Sequence, residues 1–276
     1  MPELPEVETT RRHLEPVVVG RVIASAEVRR DRMARRHERP DDFPDRVVGR
    51  RVTALGRRGK FLLASLDGDM TWVTHLGMSG RLAVADPDEP ESPHTNVVIH
   101  LDDGRQVRMV DPRTFGFVAA WTPEEMEGEF GGRVGRDALE DLPTARELAA
   151  ALEGRTAPIK ALLLDQRVIA GLGNIYADEI LHRARVRPDR PGGSLTRDEI
   201  GALRAAVRPV LQAGLRHGGT SLDDLAYLLP DGRAGEYLGR LTAYGREGEA
   251  CRRCGGIIER TVIRARSSFW CRGCQS

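Results

Sequence analysis

The sequence predicts a multidomain α+β protein, and three observations carry that reading. Short apolar or alternating runs broken by turn residues fill the first ~120 positions. Helical patterns with capping signals follow, and all four cysteines stand between Cys251 and Cys274. A chain of 276 residues has room for one large or two modest domains plus a small appendage. A hydrophobic share of 40% with 30 Gly and 16 Pro excludes collagen, a pure coiled coil and a wholly disordered chain. No apolar run approaches ~18 residues, so no membrane span is expected. The N-terminus lacks the basic head and apolar stretch of a signal peptide, so a soluble intracellular protein is expected. The formal net charge of +1 argues neither for nor against nucleic acid.

In order along the chain, residues 3–16 read as a helix, with Pro5 tolerable near its start and Pro16 ending it. Strands are expected over residues 22–28, 47–55, 61–66, 70–75, 95–101, 106–110 and 115–121. Asp67-Gly68 and Asp103-Gly104 supply turns between them. So many short strands indicate a sandwich or partly closed barrel. Residues 122–153 form an acidic bridge of nine acids against three arginines, with Gly131-Gly132 as a hinge. Four helices follow. Residues 144–153 open on Thr144 with Glu147 three positions on, a capping-box pattern. Residues 158–164 open on Pro, and residues 174–182 follow Gly-Leu-Gly. Residues 196–217 carry the Thr196/Glu199 capping pattern, and Pro209 is expected to kink or interrupt them. Residues 218–250 are Gly-rich and read as loop.

Cys251-Arg-Arg-Cys254 is separated by 16 residues from Cys271-Arg-Gly-Cys274. Two CxxC pairs at that spacing suit a closed tetrahedral four-thiolate zinc site. A 26-residue unit is too small for its own core, so metal must supply folding energy. Two disulfides or a redox centre are the alternatives. The unit carries a charge balance of +5, which suits phosphate contacts or a solubilising surface. Residues 257–264 and 267–270 fit a β-hairpin.

Forty of the 42 basic residues are Arg; the two lysines are Lys60 and Lys160. Lys60 follows Gly56-Arg-Arg-Gly59, and as a compact ammonium it could hold a phosphate or carboxylate, or be an ordinary surface lysine. Gly171-Leu-Gly-Asn174 offers either backbone amides to an anion or a simple helix-opening turn capped by Asn174. It matches neither a dinucleotide fingerprint nor a Walker A loop. Met78 sits between glycines, either packed in its turn or placed to enter a base stack.

Taken together, Pro2-Glu-Leu-Pro-Glu-Val-Glu-Thr9, His75-Leu-Gly-Met-Ser-Gly80, Asp111-Pro-Arg113, Gly173-Asn-Ile-Tyr-Ala-Asp-Glu179 and the cysteine unit resemble the bacterial formamidopyrimidine-DNA glycosylases of the Fpg/Nei family. These matches span nearly the whole chain in the family's order. The resemblance implies an N-terminal β-sandwich with an N-terminal helix (1–121), a linker (122–143), a helical helix–two-turn–helix domain with a lesion-capping loop (144–250), and a zinc-finger β-hairpin (251–276). DNA is expected in a cleft between the lobes. The activity implied is a bifunctional glycosylase and AP lyase acting on oxidised purines, 8-oxoguanine opposite cytosine and formamidopyrimidines, through an N-terminal proline Schiff base and β,δ-elimination.

By the same resemblance, Pro2 is the nucleophile once Met1 is removed, and Glu3 is the acid/base. Lys60 and Arg266 grip phosphates at the catalytic site. Met78, Arg113 and Phe115 fill the stack vacated by the extruded base, and Asn174 and His94 contact DNA. Cys251, Cys254, Cys271 and Cys274 hold one structural zinc, while Glu6 and Glu179 support the network. No redox or nucleotide cofactor is implied. The partner is damaged double-stranded DNA, the state monomeric, and the location cytoplasmic or nucleoid-associated. The chain departs from the family's hairpin wording at Ala265, where Gln is usual, and at Ser268, where Thr is usual. An oxidised-pyrimidine glycosylase of the same family and a non-catalytic damage sensor are the competing readings.

Overall fold

The computed structural model describes residues 2–222 and 227–276. Met1, and residues 223–226 within the segment read as the lesion-capping loop, lie outside the described residues. The chain divides into two compact units: Met1–Gly131 with His217–Glu236, and Gly132–Arg216 with Tyr237–Ser276.

The first unit opens on α1 (Leu4–Val18), with Glu3 as its N-cap. Leu4, Val7, Leu14 and Val18 recur on one face and are buried. Pro16 does not end this helix; it lies inside it, and the helix runs on to Val18. In the last turn a proline forfeits a single amide bond, and the buried Val18 anchors the turn beyond it. Eight strands follow among the described residues: β1 (Ile23–Val28), β2 (Val52–Arg58), β3 (Phe61–Leu66), β4 (Met70–His75), β5 (Arg81–Ala85), β6 (Thr95–Leu101), β7 (Gln106–Val110) and β8 (Phe117–Trp121). They form two antiparallel four-stranded sheets, ordered β1-β6-β7-β5 and β2-β3-β4-β8. Val7 of α1, Ile23, Leu62, Trp72, Val97 and Met109 share one core, the sandwich expected from the sequence.

Three local differences have physical reasons. The expected strand over residues 47–55 is divided: α2 (Asp42–Val47) ends at its first residue, and Gly49 at φ +80° turns the chain before β2. Strand β5 went unread because its apolar run follows the Gly-rich tip around Met78. Within the acidic bridge, α3 (Pro123–Phe130) forms because Thr122 and Glu125 cap each other reciprocally. The segment His217–Glu236 packs with the first unit. Its Thr220 amide and Tyr227 hydroxyl both bond to Glu6 of α1.

The second unit holds α4 (Ala145–Leu152), α5 (Ile159–Leu164), α6 (Asn174–Ala184) and α7 (Arg197–Arg216), followed by the hairpin β9 (Ile258–Ile263) and β10 (Arg266–Cys271). Both expected capping boxes form, Thr144 with Glu147 and Thr196 with Glu199. Pro209 lies inside α7 without ending it, flanked by the buried Ala206, Val207, Val210 and Leu211. A Cβ at Gly214 would lie 2.4 Å from the Tyr176 hydroxyl, so glycine lets α7 pack directly on α6.

Candidate active site and zinc centre

Pro2 immediately precedes the N-cap of α1, and both Pro2 and Glu3 are buried. The Glu6 carboxylate organises this end. Its Oε2 accepts the Glu3 amide at 2.8 Å, and its Oε1 accepts the Thr220 amide at 2.7 Å. Gly219 stands at φ +84°, and a Cβ there would come within 2.8 Å of Glu6. Glu6 therefore ties the start of α1 to the segment that contains Thr220.

Lys60 is buried, just after the β2–β3 turn at Gly59. Near it stands His75, at the end of β4. The His75 ring packs on Phe61 at 4.8 Å and stacks on Phe117 at 5.7 Å. Its Nδ1 accepts the Gly77 amide at 3.1 Å, so the neutral ring carries its proton on Nε2. Burial, then the charges of Lys60, Arg35 and Arg36, push its pKa down to about 4. In the unfolded chain a histidine titrates near ~6.5. Between those values only the unfolded state binds the proton, so stability falls as pH drops through that window and is unaffected above it. His75→Phe is expected to make the acid-side decline of Tm between pH ~6.5 and ~4 shallower, by the share of one proton. An unchanged slope in thermal melts across that range would contradict this.

Met78, Arg113 and Phe115 are brought together by a buried carboxylate. Asp111 Oδ1 accepts the Ser79 hydroxyl at 2.6 Å and the Arg113 amide at 3.3 Å, and its Oδ2 accepts the Gly116 amide at 2.8 Å. A Cβ at Gly77 would sit 2.3 Å from the Gly116 nitrogen, so the two tips lie in direct backbone contact. The Arg113 guanidinium lies 4.8 Å over the Phe115 ring, and that ring is 39% exposed. A large aromatic thus stands outside the core on a pinned loop. His94 is exposed, and its carbonyl accepts the Asp111 amide at 3.1 Å. It borders an open groove of about 540 Å³ together with Arg30, Arg32 and Asn96.

In the second unit, Asn174 begins α6 and its side-chain amide donates to the Ser267 carbonyl at 3.0 Å. Lys160 donates to the same carbonyl at 2.7 Å and pairs with Asp178 at 2.7 Å, both side chains being wholly buried. Asp178 Oδ2 also accepts the Phe269 amide at 3.0 Å. These bonds fasten β10 next to Arg266, which is exposed at the first position of that strand. Ile263 pairs with Arg266, so the turn is Arg264-Ala265, with both residues left-handed at φ +45° and +61°. Two side-chain-bearing residues in a turn that favours Asn-Gly mark a strained hairpin tip.

Lys160 thus joins α5 to α6 and β10 from inside the second unit. Lys160→Met is expected to destabilise the second unit by about 3–5 kcal/mol, because it strands a buried carboxylate. Pairing it with Asp178→Leu is expected to recover much of that loss. Chemical denaturation of the single and double variants checks both, and equal stability of Lys160→Met and the parent would refute the account.

The four cysteine sulfurs all lie within 4.8 Å of one another. Cys254 and Cys271 stand 3.4 Å apart and Cys251 and Cys274 3.9 Å apart, far beyond a disulfide length. Sulfurs ~2.3 Å from a tetrahedral zinc are separated by about 3.8 Å, so the donor set fits that ion. At Gly256 and Gly273 a Cβ would press to 3.3 Å from cysteine sulfurs, which explains glycine in each knuckle. His182 Nε2 lies 3.3 Å from Cys251 Sγ, and its Nδ1 lies 3.1 Å from the Thr242 hydroxyl. Glu179 accepts the amides of Thr242, Ala243 and Tyr244 and the Thr242 hydroxyl. Glu179 therefore clamps the backbone of residues 242–244.

The first unit is thus a β-sandwich led by a buried Pro-Glu pair, and the second a helical unit that carries a four-cysteine finger. Family models match three stretches: the formamidopyrimidine-DNA glycosylase N-terminal domain over residues 1–118, its H2TH domain over 134–225, and the zinc finger found in FPG and IleRS over 248–276. A formamidopyrimidine-DNA glycosylase of Heliobacterium modesticaldum is 46% identical, with all of both chains covered. Among solved structures, the MutM (Fpg) protein of Thermus thermophilus superposes with a TM-score of 0.89 at 41% identity, covering 99% of this chain and 98% of that one. Lactococcus lactis Fpg in complex with a Fapy-dG-containing DNA gives 0.89 at 31% identity, covering 99% and 100%. The chain belongs to the formamidopyrimidine-DNA glycosylase family.

Proposed function

We propose that the protein is a bifunctional DNA glycosylase and AP lyase that excises oxidised purines, 8-oxoguanine opposite cytosine and formamidopyrimidines, from duplex DNA. The observation that carries this reading is the placement of Pro2, buried and directly ahead of α1, with the buried Glu3 beside it. The solved Lactococcus lactis complex with Fapy-dG-containing DNA supports the substrate class.

Removal of Met1 turns the Pro2 nitrogen from an amide into a secondary amine. The free base of that amine attacks C1′ of the damaged nucleotide. The base departs with its bonding electrons, and Glu3 moves protons at the sugar oxygen and the leaving base. The N–C1′ bond forms as the glycosidic bond breaks; the amine then loses its N–H proton, and the C1′–O4′ ring bond opens with O4′ taking a proton from Glu3, so that the nitrogen lone pair completes an iminium. The resulting iminium draws electrons from C2′. Loss of a C2′ proton then expels the 3′ phosphate, and a second elimination expels the 5′ phosphate. Lys60 and Asn174 hold phosphates, His94 contacts the strand, and the Arg266 fork grips the phosphates of the everted nucleotide. Met78, Arg113 and Phe115 occupy the vacated stack, offsetting part of the few kcal/mol lost on extrusion. The zinc holds the finger hairpin in order when bound. The protein acts as a monomer, in the bacterial cytoplasm or on the nucleoid; among the described residues no helix is long and apolar enough to cross a membrane.

The same fold could serve oxidised pyrimidines, and the Met78-Arg113-Phe115 set favours purines. Parallel single-turnover assays on 8-oxoguanine and thymine-glycol duplexes decide this. Faster excision of 8-oxoguanine is expected; a preference for thymine glycol would overturn the purine assignment.

A further inference from the structure

The segment from Arg29 to Arg36 holds five arginines besides Asp31, Met33 and Ala34, and the reaction described above uses none of them. Two of these arginines are spent on one object, the backbone of the loop that carries Phe115. Arg32 Nε donates to the Thr114 carbonyl at 3.0 Å. Arg35 Nη2 donates to the Phe115 carbonyl at 2.8 Å, and Arg35 Nη1 donates to the Gly116 carbonyl and, at 2.8 Å, to the Arg32 carbonyl. Three consecutive carbonyls of the loop are therefore bound by two guanidinium groups. Asp111 holds the same loop from inside through the Arg113 and Gly116 amides.

The clamped loop needs such holding. Thr114 sits at φ +52°, a left-handed conformation that β-branched residues avoid. A loop left to itself would relax away from it. The clamp is rooted in the fold, because Met33 and Ala34 between the two arginines are buried and the Arg35 guanidinium lies 5.2 Å over the Phe117 ring of β8. Arg32 lies 6.0 Å over Phe115 itself. A side chain that must enter a base stack works only if its backbone does not yield when the stack resists.

We propose that Arg32 and Arg35 are positioning residues for the Phe115 wedge: they fix the loop carbonyls so that Phe115 is presented rigidly, and they serve lesion interrogation and base extrusion while leaving the chemistry at Pro2 untouched. This rests on the glycosylase and lyase reading above.

The test compares two substrates in single-turnover kinetics. A duplex with 8-oxoguanine opposite cytosine requires wedging and extrusion; a single strand with a preformed abasic site requires neither. Arg35→Met keeps the apolar stem and loses the fork. It is expected to slow the duplex reaction by about tenfold or more, while abasic-strand scission stays within about twofold of the parent. Arg35→Lys restores the charge without the fork and is expected to remain slow on the duplex. A 2-aminopurine placed beside the lesion is expected to brighten more slowly with both variants. Equal slowing on both substrates would show general damage and overturn the proposal, as would parental rates for Arg35→Lys or for Arg35→Met on the duplex. Failure of the parent protein itself on both substrates would refute the glycosylase and lyase reading; a normal parent with uniformly slowed variants refutes only the clamp.

Discussion

Glu3→Gln is expected to slow base excision by about 10²–10⁴-fold while leaving affinity for lesion-containing duplex close to that of the parent. The substitution removes a titratable proton and little else. Gln has the same size and shape, and its carbonyl can still accept at the N-cap of α1. The Glu3 amide, rather than its side chain, makes the 2.8 Å bond to Glu6, so that tie survives. The buried site offers no bulk water to replace the lost acid/base group. Single-turnover excision together with gel-shift affinity separates the effects. A parental excision rate would remove Glu3 from the chemistry; a rate loss matched by lost affinity would make it a binding residue.

The second large effect concerns the metal. Cys254→Ser is expected to abolish zinc binding and disorder the hairpin, since metal binding supplies about 10–16 kcal/mol in finger-type sites. The finger's own apolar cluster is only Cys251, Ile258 and Cys271 with Phe269 and Cys274 packed against it, too little to replace the ion. Contacts that do not run through the metal remain, among them the Lys160 and Asn174 bonds to Ser267, the Asp178 bond to the Phe269 amide and the Gln275 side-chain bond to the Val186 carbonyl. None of these reaches the turn at Arg264-Ala265, so Arg266 would lose its aim. Elemental analysis is expected to show zinc lost, and amide exchange in residues 251–276 is expected to accelerate. Stoichiometric zinc in the variant would contradict the four-thiolate site, and unaltered exchange protection would contradict the metal's structural role.

Much of this was legible in the sequence, for reasons that differ by element. The strands β3, β4, β6 and β7 were read at their observed limits because apolar periodicity and Asp-Gly turns act locally. The capping boxes at Thr144 and Thr196 were legible for the same reason. The cysteine cluster followed from spacing alone. Pro16 misled because a helix's tolerance of proline depends on how near its end the residue falls and on what the following turn buries. The Lys160–Asp178 pair was not legible as a pair, since its partners Ser267 and Phe269 lie about a hundred residues away. His75 was hidden likewise: it is half-buried, and its neighbours Phe61, Lys60 and Phe117 come from three different strands or turns. The attachment of His217–Glu236 to α1 depends on Glu6 reaching Thr220, a contact that no local pattern announces.

In the proposed reaction the Pro2 nitrogen becomes covalently bonded to the sugar of the damaged nucleotide. Borohydride reduction during turnover of an 8-oxoguanine duplex, followed by peptide mass spectrometry, tests it directly. The expected result is a stable protein–DNA adduct mapped to a peptide that begins at Pro2, with Met1 absent from the active protein. Tight lesion binding with no adduct, an adduct at a lysine, or full activity from protein that retains Met1 would contradict the account.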